Sequence, residues 1–414
     1  MSNDGRVARK AAVAAMTAVT EEAITLGDVL PRLVEQLPPS EAARAGRLAT
    51  EALRWANRSD RLLGPHLRMK PEDPVMNALR LALYEIFEEG AAPHGVVDAA
   101  VSLVTRSKSG LVNGVLRNLL RREVDWAALP VPHTPKWLRK RLNAAWGKAA
   151  LEAMEQVHAT RPPLDLTCRS KADIWAAKLE ATLLPGGTLR IPSGVRVSGL
   201  PGYDEGAWWV QDAGAAVAAQ VLAPQKGERV LDLCAAPGGK TMQLAAAGAS
   251  VTALDVSKAR MARVRENLGR TGLQADLVVA DALAWTPDGP FDAVLLDAPC
   301  SATGTLRRHP DLGHARDGTG LDDLIALQNQ LLDRAAAWVR PGGRVVYCTC
   351  SLLPEEGEAQ IDRFMDRDPG FSVFVPDAID PQWSVPQGLR LRPDHWASKG
   401  GIDGFFIACL EKRP

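Results

Sequence analysis

The chain has 414 residues, more than one average domain, so two or three domains are expected, with length enough to bury a large core. Hydrophobic residues at 46% and charged residues at 24% exclude a disordered chain, a collagen-like repeat and a small disulfide scaffold. Lys plus Arg equal Asp plus Glu at 49 each, so overall charge names no partner.

The polar start Met1 to Lys10, followed by the threonine-interrupted alanine run Ala11 to Val19, does not read as a signal peptide. No stretch approaches the roughly 20 apolar residues of a membrane helix, and six cysteines are sparse enough to be reduced thiols. A cytoplasmic protein is expected.

From Val7 to about Arg122 the pattern is helical, with no alternating strand. Val75 to Phe87 is apolar on most faces and reads as a buried helix. Leu111, Val112, Val115, Leu116, Leu119 and Leu120 form an apolar stripe, with Arg117, Arg121 and Arg122 mostly off it. Residues 101 to 150 hold ten Lys or Arg against Glu123 and Asp125, either a solvated face or a surface for phosphates. Proline and tryptophan punctuate Asp125 to Trp137, a basic helical stretch runs to about His158, and Arg161-Pro162-Pro163 is a break. After it Leu164 to Cys168 predicts a strand, Lys171 to Leu183 a helix and Gly194 to Leu200 a strand, a small α/β connector.

Beyond Gly206 short β-branched runs alternate with helices: Arg229 to Leu233, Ser250 to Asp255, Ala275 to Val279, Phe291 to Leu296 and Arg344 to Thr349. That alternation predicts a mostly parallel, doubly wound Rossmann-like sheet with its ligands at the carboxyl ends of the strands. The limits are set at residues 1–127 for the helical domain, 128–205 for the linker and connector, and 206–414 for the α/β domain.

The first strand runs into Cys234-Ala235-Ala236-Pro237-Gly238-Gly239-Lys240, small residues that let a ligand approach backbone. Asp255 ends the next strand, where a carboxylate accepts both hydroxyls of a ribose, and Asp281 ends the third, within reach of an adenine. An ordinary tight turn is the plainer alternative, but the strand-end acids favour a nucleotide-like ligand. The loop has neither the dinucleotide glycine spacing nor the first glycine of a P-loop. S-adenosylmethionine, with a ribose and no phosphate, suits this acidic site. Lys240 either faces the cofactor or the catalytic loop, or is a surface lysine at a helix start.

Cys300 follows Asp297-Ala298-Pro299 and Cys350 lies between Thr349 and Ser351, so two thiols sit in polar loops at strand ends. Cys168, Cys234 and Cys409 read mainly as packing. Cytosine C5 accepts a methyl group only after a thiolate has added to C6 and made an enamine. One thiol, one acid at N3 and a second group for release are wanted, and Cys350, Asp297 and Cys300 supply them. Cys348-x-Cys350 lacks a second close pair, so no metal is expected.

The segments Leu231 to Thr241 (LDLCAAPGGKT), Asp297 to Asp311 (DAPCSATGTLRRHPD), Thr349 to Glu356 (TCSLLPEE) and Asp403 to Ala408 (DGFFIA) resemble the RNA 5-methylcytosine methyltransferases of the NOL1/NOP2/Sun family, above all its bacterial small-subunit ribosomal RNA branch. Ser109 to Asn118 and Ala92 to Gly95 resemble a NusB-type RNA-binding domain. The resemblance implies S-adenosylmethionine as methyl donor, 16S ribosomal RNA as partner, Cys350 as nucleophile and Cys300 as the thiol that assists release. DNA 5-methylcytosine enzymes instead use the Pro-Cys thiol, followed by Glu-Asn-Val, a tripeptide this sequence lacks. Arg307 and Arg308, just past the Pro-Cys loop, are expected to meet RNA phosphate together with Arg117 and Arg121. Trp208 and Trp209 read as packing, His309 as structural. Cys348 stands where relatives often have serine or alanine. Other readings are methylation of another RNA such as tRNA, a non-catalytic assembly or antitermination factor, and a small-molecule methyltransferase, which leaves the two thiols without use. No membrane association and a monomeric state are expected.

Overall fold

The computed structural model describes residues 5–374 and 380–414, and every count below is of those residues. The chain divides into two compact units, one formed by residues 1–161 with 306–318, the other by 162–305 with 319–414. These limits differ from the expected 127 and 205 in three ways: the basic helix joins the helical unit, a thirteen-residue excursion does as well, and residues 162–205 fall in the same unit as the large sheet.

The helical unit is built from Arg6–Glu22, Leu26–Val34, Pro39–Arg54, Ala56–Leu63, Asp73–Phe87, Pro93–Ser102, Arg106–Leu120 and Lys136–His158. Asp73–Phe87 is the central helix, with every residue from Val75 to Glu85 buried, because its neighbours cover all of its faces. Ala78 and Leu81 pack with Met16, Val19, Leu48 and Leu53, while Leu79 and Leu83 pack with Val96, Val97, Val112, Val115, Leu116 and Leu119. The stripe expected on Arg106–Leu120 is narrower than drawn, since Leu111 is exposed. Lys136–His158 is interrupted at Gly147, whose φ of 78° is open to glycine and strained for other residues.

The excursion is held by polar contacts to the same helices. The Asp311 carboxylate accepts from the Leu26 amide at 2.9 Å, Arg54 donates to the Arg307 carbonyl at 2.7 Å, and Trp137 donates to the Arg316 carbonyl at 2.9 Å.

The second unit opens with a four-stranded antiparallel sheet of β1 (Leu164–Cys168), β2 (Thr182–Leu183), β3 (Leu189–Ile191) and β4 (Trp208–Val210), in the order β2-β3-β1-β4. Here the sequence reading needs two corrections. The helix predicted over Lys171–Leu183 covers only Ala172–Lys178 and is followed by β2, and Gly194–Leu200 holds a 3₁₀ turn, Val197–Gly199, where a strand was expected. The strand lies earlier, at β3, whose three residues are all buried. Its middle residue, Arg190, reads as solvent-facing, yet it is buried by a double hydrogen bond to Asp165 at 2.7 Å on each arm.

The large sheet contains β5 (Arg229–Leu233), β6 (Ser250–Asp255), β7 (Asp276–Val279), β8 (Phe291–Asp297), β9 (Val339–Thr349), β10 (Phe371–Phe374), β11 (Ser384–Val385), β12 (Gly388–Leu391) and β13 (Phe405–Lys412). Its order is β11-β12-β13-β9-β8-β5-β6-β7, with β10 also paired to β13. β7, β6, β5, β8 and β9 run parallel, as expected, whereas β13 pairs antiparallel with β9. The helices Ala213–Leu222, Gly239–Ala246, Lys258–Thr271 and Leu321–Trp338 supply the partners of a doubly wound arrangement. Val230, Ala293, Leu295 and Val346 face one core, and Leu231, Val294, Leu296 and Val345 face the other, the alternation of strands covered on both sides. No helix among the described residues is long and apolar enough to cross a membrane.

Candidate active site

In the parallel order β5 and β8, then β8 and β9, are neighbours, so the loops after these three strands emerge side by side at the carboxyl edge. The loop after β5 turns sharply. Cys234 has φ 65° and Gly238 φ 99°, and the Gly238 amide donates back to the Ala235 carbonyl at 2.8 Å before the helix starts at Gly239. A Cβ on Gly238 would stand 3.0 Å from Val264 in a conformation other residues rarely adopt, so glycine is required there.

Asp255, at the end of β6, is buried and accepts from the amides of Ala236 at 3.2 Å and Ser257 at 2.9 Å. It therefore ties the β5 loop to the β6 loop. Asp281, beyond β7, is exposed and accepts from the Leu283 amide at 2.9 Å. The set is small residues, open backbone and carboxylates, and the one arginine beside them among the described residues, Arg260, is held by the Ala236 carbonyl and the Asp255 carboxylate. It fits a ribose-bearing sulfonium cation and does not fit a nucleoside polyphosphate.

Lys240 is buried and donates to Asp297 Oδ2 at 2.7 Å. Burial draws its pKa down, but the carboxylate beside it outweighs burial and the net shift is upward. The other oxygen, Oδ1, accepts from Cys348 Sγ at 3.5 Å. Cys348 pairs with Asp297 across β8 and β9, is fully buried, and is held as a thiol well above its ordinary pKa by burial and by Asp297. The third thiol is thus a neighbour of the acid.

Cys300 and Cys350 come together, Sγ to Sγ 3.5 Å. Both are free and partly exposed. The contact with Cys350, and then burial, push the Cys300 thiol well above its ordinary pKa. The remaining thiols fit packing: burial raises Cys168 to about 11 and Cys409 to about 12. Cys234 is also raised, by burial and then Asp297. Trp208 and Trp209 are buried, donating to the Pro201 carbonyl and to Gln211 Oε1. Among the described residues no group of three or more His, Cys, Asp or Glu could hold a metal ion.

Two buried acids carried no expectation from the sequence. Asp232, in β5, is fully buried; burial lifts its pKa to about 7, Thr241 donates to Oδ2 at 2.5 Å, and Oδ1 has no hydrogen-bond partner. Glu356, in the 3₁₀ turn Pro354–Glu356, is fully buried and bonds to the serines that follow both thiols. Its place inside the TCSLLPEE segment was the available signal.

The basic residues separate into two groups. Arg117 and Arg121 are exposed and line a shallow cavity of about 320 Å³ with Pro93, His94, Val97 and Leu120. Arg308 is half-buried, whereas Arg307 is fully buried. The expectation that Arg307 meets RNA phosphate is corrected here, because the segment it belongs to folds into the helical unit.

The family model for 16S rRNA methyltransferase RsmB/F matches residues 219–411 and that of the NusB family matches residues 6–121. The chain is 36% identical over 435 residues to ribosomal RNA small subunit methyltransferase B of Cronobacter sakazakii, covering 98% of each chain. To the enzyme of the same name from Erwinia tasmaniensis it is 36% identical over 425 residues, covering 95% of this chain and 96% of that one. The crystal structure of PH0851 shares the fold, with a TM-score of 0.78 and 24% identity over the whole of both chains. With its glycine loop and strand-end acids in a doubly wound sheet that follows a NusB-type helical domain in the sequence, the chain belongs to the RsmB/F family of S-adenosylmethionine-dependent 16S ribosomal RNA methyltransferases.

Proposed function

We propose that the protein methylates C5 of one cytosine in 16S ribosomal RNA through a transient bond between Cys350 and C6 of the base. The observation that carries this reading is the 3.5 Å approach of Cys300 Sγ to Cys350 Sγ, on the loops that follow β8, which ends in Asp297, and β9, which ends in Thr349.

The Cys234 to Lys240 loop, Asp255 and Asp281 would hold S-adenosylmethionine, with Asp297 at its edge. The bound cofactor supplies an electrophilic methyl group. Everything else falls to the protein. Cys350 adds to C6 as thiolate, which moves electron density to C5 and N3. As N3 becomes basic it needs a proton: the Lys240 ammonium, 2.7 Å from Asp297 Oδ2, passes one to the Asp297 carboxylate, and the resulting carboxyl group donates a hydrogen bond to N3. Once C5 carries the methyl group its proton passes to a water molecule acting as base, the electron pair left at C5 re-forms the C5–C6 double bond and expels the Cys350 thiolate, and Cys300 stands next to the departing sulfur to meet it with a hydrogen bond. The target base must be unstacked to reach the thiol, so an accessible loop of RNA not yet buried in the assembled subunit is the substrate.

Within this reading the helical unit, residues 1–161 with 306–318, binds RNA and residues 162–305 with 319–414 carry the reaction; Arg117, Arg121 and Arg308 contact phosphates. The protein works in the cytoplasm as a monomer. Incubation with unmodified 16S RNA and methyl-labelled cofactor, followed by bisulfite mapping, is expected to find one new 5-methylcytosine. Absence of label, or label on another atom, overturns the proposal.

A further inference from the structure

The two thiols lie on loops that follow different strands, and nothing covalent sets their separation. The loops meet directly, through the Ser301 and Ser351 hydroxyls at 3.2 Å and through Thr303, which contacts the Ser351 hydroxyl and the Leu352 amide, and the buried Glu356 side chain touches both. Glu356 Oε1 accepts from the Ser301 amide at 2.9 Å and from Gln328 Nε2 at 3.0 Å; Oε2 accepts from the hydroxyls of Ser301 and Ser351, each at 2.5 Å. Ser301 directly follows Cys300, and Ser351 directly follows Cys350.

The surroundings reinforce this grip. Gln328 also donates to the Pro299 carbonyl at 2.8 Å, on the other side of Cys300. The hydroxyls of Tyr347 and Thr349 donate to the Glu356 carbonyl at 2.9 and 3.0 Å, which fixes the acid to β9 just before Cys350. The Gly304 amide donates to the Cys350 carbonyl at 2.9 Å, and a Cβ on Gly304 would stand 2.0 Å from the Gly404 carbonyl, so only glycine lets the loop pack there.

A buried carboxylate is an expensive way to fill space, since apolar packing of the same volume stabilises as well or better. What these donors have in common is that they belong to, or brace, the two thiol loops. We propose that Glu356 is a positioning residue that sets the spacing of the Cys300 and Cys350 thiols by holding the serine after each. The proposal rests on the reading that these thiols act together on one base.

The two carboxylate oxygens differ in what they tolerate. Oε2 faces hydroxyls, which can rotate to accept from an amide, whereas Oε1 faces an N–H and an amide NH₂, which cannot. Glu356→Gln therefore keeps much of the grip, and Glu356→Ala loses it.

The test uses the full chain and the thiol oxidant diamide. Two thiols give up two hydrogens, diamide is reduced to its hydrazine, and a sulfur–sulfur bond forms only if the atoms can close to about 2.0 Å. Peptide mass spectrometry identifies the Cys300–Cys350 product apart from any involving Cys348. The expected result is cross-linking about tenfold slower in Glu356→Ala and about threefold slower in Glu356→Gln, with iodoacetamide alkylation of each thiol within twofold of the parent. In the methyl-transfer assay kcat falls with the cross-linking rate while KM for RNA and for cofactor stays within twofold. If Glu356→Ala does not fold, Ser301→Ala with Ser351→Ala is expected to give the same slowing. Unchanged cross-linking in the folded variants overturns the proposal. Slowed cross-linking in a protein whose parent forms no RNA–thiol adduct upholds the positioning role and overturns the reaction assigned above.

Discussion

Lys240 Nζ and Asp297 Oδ2 stand 2.7 Å apart, linking the first turn of the helix after the glycine loop to the last residue of β8. The lysine is buried, and the acid keeps a side-chain exposure of 32%. Removing the cation leaves a carboxylate facing the buried Cys348 thiol with no counter-charge. Lys240→Met is expected to cost about 2–4 kcal/mol, less than the roughly 3–5 kcal/mol of a fully buried pair because water still reaches Asp297. Urea denaturation measures it, and adding Asp297→Asn should restore part of the loss; a double variant no more stable than the single would refute the pairing.

The thiols are expected to separate by phenotype. Cys350→Ala should lower kcat by about a thousandfold or more, as loss of a covalent nucleophile does. Cys300→Ala should still form the bond to C6 and stall there, seen as a protein–RNA species that survives denaturing electrophoresis. An adduct that disappears in Cys300→Ala and persists in Cys350→Ala would reverse the two roles.

Asp232 gives a pH signature. Its pKa is raised by burial to about 7, with Thr241 and Lys240 opposing and Asp297 and Asp255 adding to the rise. In the unfolded chain it ionises near 4, so between about pH 4 and pH 7 the folded state holds the extra proton and stability falls as pH rises. The contribution is fully present below the unfolded value and lost through the folded one. Asp232→Asn, which keeps an oxygen for the Thr241 hydroxyl, is expected to flatten that part of the stability–pH curve. Denaturant midpoints at pH 5 and pH 8 check it, and a slope as steep as the parent's would count against the assignment.

On the helical unit, Arg117 and Arg121 are exposed, so replacing them should leave the fold intact. If they contact phosphate, Arg117→Ala with Arg121→Ala reduces the slope of log affinity against log salt by about 0.7 for each lost contact with single-stranded RNA. Fluorescence anisotropy at several salt concentrations gives the slope. An unchanged slope would remove these two residues from the RNA surface.

How far the sequence could be read depended on whether a residue's partner was local. The parallel strands β5, β6, β8 and β9 were legible because both of their faces are covered, which makes them continuous apolar runs, and the strand-end positions of Asp255, Asp297, Cys300 and Cys350 followed from that. β3 was not, because Arg190 is buried through Asp165, 25 residues away, and through the Lys399 and Gly401 carbonyls, 209 and 211 residues away. The antiparallel strands β10 to β13 carried no alternation with helices and were passed over. Arg307 misled for the opposite reason: a charged pair next to an active-site loop looks like a surface, but the fold buries Arg307 completely and leaves only Arg308 half-buried. Glu356 had no visible role because its partners are the neighbours of two residues 50 apart.

The excursion of Leu306–Gly318 into the helical unit bears on how the chain is made. Synthesis delivers residues 1–161 first, and these emerge from the ribosome lacking the carboxylate of Asp311 for the Leu26 amide and the Arg307 carbonyl for Arg54. The amino-terminal module can finish folding only when translation has passed residue 318, after β5 to β8 have already been produced. Expression of 1–161 alone should accordingly yield a helical but loosened product, and a peptide spanning 306–318 supplied in trans should tighten it.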